Sequence, residues 1–172
     1  MSRREPPGGS DNAEGERVPE MKVVLFCGGL GTRLRDYSDT LPKPLVPIGD
    51  RPLLWHILQY YSHHGHREFI LCLGHRGDAI KQYFRQTSPF QAETDDWRTT
   101  FVDTGIASNI GQRLRAIEGH LGDDDVFLAN YTDVLSDLPL DEHVEHALAR
   151  RRVATFLAVR PSQTFHVVEV GE

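Results

Sequence analysis

Three glycines, an arginine and a lysine held between two prolines crowd the start of the folded part of the sequence. In "FCGGLGTRLR", residues 26–35, an apolar run stops at Gly28 and Gly29, and Gly31, Thr32 and Arg33 follow. Lys43 comes next in "LPKP", between Pro42 and Pro44. Bare backbone lets a ligand approach closely, and free N–H groups make an anion-binding concavity. Arg33 offers a planar fork for bidentate phosphate contacts, and Lys43 a compact point charge. The flanking prolines restrict the backbone around Lys43, so less entropy is lost when it engages. Two cations beside a glycine loop suit a polyphosphate. Leu34 stands where the dinucleotide fingerprint needs its third glycine, and the G-K-[ST] of a P-loop is absent. Taken alone, the glycines are equally compatible with a tight β–α turn.

Those residues need elements to hold them. "MKVVLFC" is an apolar, β-branched run of strand length that ends at glycine. "RPLLWHILQYYSHHG" places Leu54, Ile57, Leu58 and Tyr61 on one helical face, entered at Pro52 and closed by Gly65. "REFILCLG" predicts a second buried strand, and "GDAIKQYF" a short helix with Asp78 as its cap. "WRTTFVDTG" predicts a strand. "IGQRLRAIEGHLG" predicts a helix with Leu114, Ile117 and Leu121 on one face, closed by Gly122. "DVFLANYTD" reads as a strand ending in an aspartate, and "DEHVEHALARR" as a helix. "VATFLAVRP" and "TFHVVEVG" read as two last strands. This alternation predicts an α/β, Rossmann-like domain: a mostly parallel central sheet with helices on both faces. Ligands in such sheets sit at the carboxyl ends of the strands, where the glycine loop falls. Asp133 falls there too if its strand is parallel to the first. On its own it reads as a turn aspartate as readily as a metal ligand.

Bulk properties narrow the class. The 172 residues carry a net charge of −6, and 39% are hydrophobic. That gives one domain with a real core and no basic footprint for nucleic acid or an anionic membrane. No run of about 18 apolar residues could span a bilayer. Residues 1–20 are too polar to bury surface and read as a disordered tail, not a secretory signal. With Cys27 and Cys72 read as buried strand thiols, a reducing cytoplasm is the expected location. The histidines of "HHGH", residues 63–66, read as helix-end residues. His143 and His146 read as part of a solvated helix face.

The run "FCGGLGTRLR…LPKPLVPIGDRPLLWHIL" resembles the sugar-phosphate nucleotidylyltransferases. "WRTTFVDTG" and "IGQRLRAI" make it most similar to the glucose-1-phosphate cytidylyltransferases, over about residues 21–172. The resemblance implies a reaction joining a sugar 1-phosphate, glucose 1-phosphate first, to a nucleoside triphosphate, CTP first, with release of pyrophosphate. It implies a nucleotide-binding loop of Phe26, Cys27, Gly28, Gly29, Leu30, Gly31 and Thr32, with Arg33 and Lys43 on the triphosphate. It also implies nucleotide contacts from Ser108, Arg113 and Thr132, a magnesium ion held by Asp133, and a homo-oligomer. Thr132 departs from the family's usual glycine. The family's sugar-contacting residues and second metal aspartate come after the point where this sequence ends. Residues 21–172 are therefore expected to be a nucleotide-binding portion lacking its sugar-binding portion. A nucleotide-binding relative with weak or no turnover, and a thymidylyltransferase using dTTP, are the alternatives.

Overall fold

The structure is a computed structural model that describes residues 18–29, 41–86 and 97–158. The chain divides into two compact units, residues 1–138 and 139–172.

The first unit is built on a four-stranded sheet. Its strands are β1 (Lys22–Phe26), β4 (Glu68–Leu73), β5 (Arg98–Asp103) and β6 (Leu128–Tyr131). They lie in the order β5-β4-β1-β6, and every pairing is parallel. The apolar run of β1 therefore occupies the centre, where both faces are covered. Its Val23, Val24 and Leu25 are fully buried. Successive side chains alternate between faces. On one face Val24, Phe26, Ile70 and Cys72 pack with Ile117 of helix α3 (Ile110–Leu121), and Leu114 and Leu121 join the cluster. On the other face Tyr61 of helix α1 (Leu53–His63) hydrogen-bonds Asn130 of β6, and Phe84 of helix α2 (Gly77–Gln86) meets Phe101 of β5. The expectation of helices on both faces of a parallel sheet is met.

Local chemistry sets the ends of these elements. Pro52 precedes α1, and Gly65 takes φ 87° just beyond it, a conformation that favours glycine. Asn109 and Gln112 form a reciprocal capping box at the start of α3. At its other end Lys22 Nζ donates to Leu121 O at 2.8 Å and pairs with Asp124 at 2.7 Å, placing a cation where the helix dipole favours one. Glu20, inside the stretch read as a tail, accepts from Arg98 at 2.8 Å. The remainder of that stretch, residues 1–17, lies outside the described residues. His66 is fully buried, and its Nδ1 accepts from Met21 N at 3.1 Å, which gives it a structural place in the core.

Between β1 and α1 lies a feature not read from the sequence. A 3₁₀ turn, Lys43–Leu45, runs into a two-stranded antiparallel ribbon of β2 (Pro47–Ile48) and β3 (Arg51–Pro52).

The second unit contains helix α4 (Leu140–Arg150), with Leu140 and Val144 buried and Arg151 closing it at φ 47°. The strand expected over "VATFLAVRP" is not found within residues 153–158. Phe156 is 82% exposed there. A strand exists only where a neighbour takes its backbone hydrogen bonds, and the alternation of apolar residues cannot supply that neighbour. The last expected strand lies outside the described residues.

Candidate functional site

The carboxyl ends of β1 and β6 open onto a cleft of about 510 Å³, whose lining includes Gly29, Lys43, Ser108, Arg113, Thr132 and Asp133. Phe26, Cys27 and Gly28 line it as well. Parallel pairing of β6 with β1 brings the aspartate loop to the same end as the glycine turn, as expected if the strands are parallel. Leu30, Gly31, Thr32 and Arg33 lie outside the described residues.

The floor of the cleft is built by hydrogen bonds. Cys27 N donates to Cys72 O at 3.0 Å and continues the β1–β4 ladder one residue further. Thr132, just past β6, donates its hydroxyl to Phe26 O at 3.0 Å. Arg113, in the second turn of α3, is 4% exposed. Its Nη2 donates to Gly28 O at 3.1 Å, and its Nη1 to Leu73 O at 3.2 Å and to the Thr104 hydroxyl. Thr104 in turn donates to Leu73 O at 2.7 Å. Ser108, which lines the cleft, donates its hydroxyl to Thr104 O.

The two described glycines of the turn have different reasons to be glycine. A Cβ on Gly28 would lie 2.6 Å from Arg113 Cζ, so the guanidinium already occupies that space. A Cβ on Gly29 would meet nothing within 4 Å. Only Gly29 keeps open space for an incoming group.

Burial fixes the protonation of the thiols below. It pushes the Cys27 thiol from 9.0 up to about 12, against the pull of its hydrogen bond with Thr132. It pushes Cys72 from 9.0 up to about 11. Both cysteines are unpaired, so the reading of two buried thiols stands.

The rim is held by one ion pair. Lys43 Nζ lies 2.8 Å from Asp133 Oδ2, with side chains 33% and 40% exposed. The 3₁₀ turn delivers Lys43: Leu45 N donates to Pro42 O at 2.8 Å and Val46 N to Lys43 O at 3.1 Å. The candidate triphosphate lysine and the candidate metal carboxylate thus neutralise each other. Among the described residues no group of three or more His, Cys, Asp and Glu could hold a metal ion. Magnesium typically takes one or two protein carboxylates and completes its shell with water and phosphate oxygens. Asp133 fits that role as a single ligand to a cation that arrives with a nucleotide.

Sequence reasoning missed Thr104 and Gly74. A Cβ on Gly74 would lie 2.9 Å from Gly28 O. "WRTTFVDTG" read as a strand, and nothing in it marked Thr104 as a bridge.

Comparisons with known proteins bear on this geometry. Residues 22–172 match the family model described as Nucleotidyl transferase. A glucose-1-phosphate cytidylyltransferase of Salmonella typhimurium is 35% identical over 87% of this chain and 65% of its own length. A probable glucose-1-phosphate cytidylyltransferase of Bacillus subtilis is 32% identical over 88% and 65%. The chain thus spans about two thirds of the length of these relatives. Among solved structures, HddC from Yersinia pseudotuberculosis, complexed with GMP-PN, superposes with TM-score 0.63 at 25% identity, over 74% of this chain and 54% of that one. A UDP-glucose pyrophosphorylase complexed with UDP-glucose superposes with TM-score 0.64 over 77% of this chain and 55% of that one; at 19% identity it speaks for the fold alone.

Proposed function

The chain belongs to the nucleotidyl transferase family, and from that premise we propose that its cleft binds a nucleoside triphosphate, CTP first, for transfer to a sugar 1-phosphate. In this reading an oxygen of the sugar phosphate attacks the α-phosphorus, the bond to the β-phosphate oxygen breaks, and pyrophosphate leaves. The products are a nucleotide-sugar and pyrophosphate. Such chemistry asks the protein for alignment and charge neutralisation above all.

The candidate residues divide the work. The open backbone at Gly29 admits the phosphates, with Leu30, Gly31 and Thr32 continuing the loop. Lys43 and Arg33 hold the outer phosphates and then the leaving pyrophosphate. Ser108 accepts from the nucleoside, and Asp133 holds magnesium. Magnesium, when bound, neutralises phosphate oxygens and lowers the barrier to displacement. The choice of CTP and glucose 1-phosphate rests on the names of the Salmonella and Bacillus relatives.

One observation carries the reading. Lys43 and Asp133, 90 residues apart, meet at 2.8 Å in the cleft that opens beside the glycine turn. Pyrophosphate release with CTP, glucose 1-phosphate and magnesium is the test. Release that depends on both substrates supports transfer. CTP binding without release supports a nucleotide-binding protein instead. Calorimetric titration with CTP, dTTP, UTP and GTP tests the base, and tighter binding of dTTP than of CTP overturns the cytidylyl reading.

A further inference from the structure

We infer that Arg113 is a positioning residue: its buried guanidinium ties three strand ends together beneath the glycine turn and so fixes how the Gly28–Gly29 backbone meets a nucleotide. The effect on a nucleotide rests on the nucleotide reading; the placement of the side chain does not.

The hydrogen bonds set the role. Nη2 holds Gly28 O at the end of β1, while Nη1 holds Leu73 O at the end of β4 and the Thr104 hydroxyl just past β5. One planar fork therefore joins three chain segments that are adjacent in the sheet and far apart in sequence. A lysine is a single point charge on a flexible stem and cannot span those acceptors at once. Gly28 and Gly74 leave the room: a Cβ on Gly74 would lie 3.2 Å from Nη1, and one on Gly28 would overlap the guanidinium. Both Nη1 hydrogens and one Nη2 hydrogen are thus committed to the protein.

The charge adds a second consequence. Among the described residues no carboxylate pairs with Arg113, and its acceptors are neutral. A desolvated cation with neutral acceptors leaves positive potential at the floor of the cleft, which an entering anion relieves. Arg113 acts on a phosphate through Gly28 and through its field, with Lys43 making the contact at the rim.

The test compares the parent with Arg113→Lys and Thr104→Val, the second keeping the charge but removing one acceptor. Amide exchange at Cys27 and Thr104, whose N–H groups donate to Cys72 O and Leu73 O, is measured without ligand, against Val23–Leu25 as internal control. CTP and CMP affinities are then measured well below the melting temperature. Arg113→Lys should speed exchange at Cys27 and Thr104 about tenfold, with the β1 control unchanged. It should weaken CTP and CMP alike, by about tenfold, the size of one charge-assisted hydrogen bond. Thr104→Val should move the same readouts about threefold, as for a neutral hydrogen bond. Three outcomes overturn the inference. Arg113→Lys could bind CTP as the parent does. It could lose CTP and keep CMP, the pattern of a direct contact to the outer phosphates. Either variant could lower thermal stability alone, leaving amide exchange and affinity unmoved. If Arg113→Lys does not fold, the parent still decides: its Arg113 guanidinium hydrogens must be protected from solvent exchange before nucleotide is added, and free exchange sinks the idea. A parent that binds neither CTP nor CMP refutes the nucleotide reading, and the ligand-free exchange then judges Arg113 separately.

Discussion

The floor and the rim of the cleft are both built from polar side chains and are held in opposite ways. On the floor, Arg113, Thr104 and Thr132 are at most 8% exposed, and their polar atoms are tied to backbone oxygens of neighbouring strands. At the rim, Lys43 and Asp133 are at least a third exposed and hold each other. A buried polar group without a partner costs about 1–3 kcal/mol, so the floor has little freedom to rearrange. An exposed ion pair contributes about 0–1 kcal/mol, so the rim opens readily. Preorganisation and exchange are thereby separated: the floor sets the shape and the rim trades partners.

The thiols give the sharpest contrast between this floor and solvent. Cys27 and Cys72 are at most 2% exposed, and burial holds both protons on well above the ordinary value of 9.0. Iodoacetamide at pH 8 should therefore label both in the unfolded chain and neither in the native one, a rate difference of about a hundredfold or more, since the thiolate is the nucleophile. Mass spectrometry of the two states measures it, and rapid native labelling of Cys27 would mean that the floor opens. The same groups set an alkaline limit. Their folded values lie above their unfolded ones, so their contribution is complete below about pH 9 and is lost as pH climbs toward 11 and 12. Denaturant midpoints between pH 8 and 11 should fall with rising pH.

The two glycines divide floor from rim within a single dipeptide. Gly28→Ala drives a Cβ into the Arg113 guanidinium and should cost about 1–3 kcal/mol in urea unfolding. Gly29→Ala meets open space and should stay within about 0.5 kcal/mol. On the nucleotide reading Gly29→Ala should also weaken CTP binding, in a protein of parental stability. Equal destabilisation by the two changes would break the distinction.

Thr132→Val tests a single bond of the floor. The substitution keeps the shape, removes the donor to Phe26 O, and should cost about 0.5–1.5 kcal/mol. Stability at or above the parent's would show that this hydroxyl contributes nothing net.

Much of the architecture was legible because β1, β4 and α1 carry their signal in burial. Continuous apolar runs marked central parallel strands, and the Leu54, Ile57, Leu58, Tyr61 spacing marked a buried helical face. What stayed hidden depends on partners. The strand expected over "VATFLAVRP" had an acceptable pattern and no neighbour across residues 153–158. The ribbon at residues 47–52 contains two prolines, which argue against strands in any local reading. The site was legible as a set of residues and not as a set of roles. Lys43 and Asp133 were both picked out, yet nothing local says that they touch. Arg113 was picked out as a ligand contact, while its partner Gly28 O lies 85 residues away in sequence. No local reading shows that a Cβ on Gly28 would meet the Arg113 guanidinium.

The smallest expected effect on stability falls on the rim pair, and it carries the most information about ligand. Lys43→Ala and Asp133→Asn should each change unfolding free energy by less than about 1 kcal/mol. Their double-mutant cycle should return a coupling of about 0.2–1 kcal/mol, because both side chains are open to water. If the rim trades partners, the two changes must then diverge with nucleotide. Lys43→Ala should weaken CTP more than CMP, since only CTP carries the outer phosphates. Asp133→Asn gives up the carboxylate but also releases Lys43, so it should bind CTP without magnesium at least as well as the parent. Added magnesium should tighten CTP in the parent and have a much smaller effect in Asp133→Asn. Titrations of CTP with magnesium and with EDTA measure both terms in all four proteins of the cycle. If magnesium tightened CTP equally with and without the Asp133 carboxylate, that residue would be no metal ligand, and the rim pair would be an ordinary surface contact.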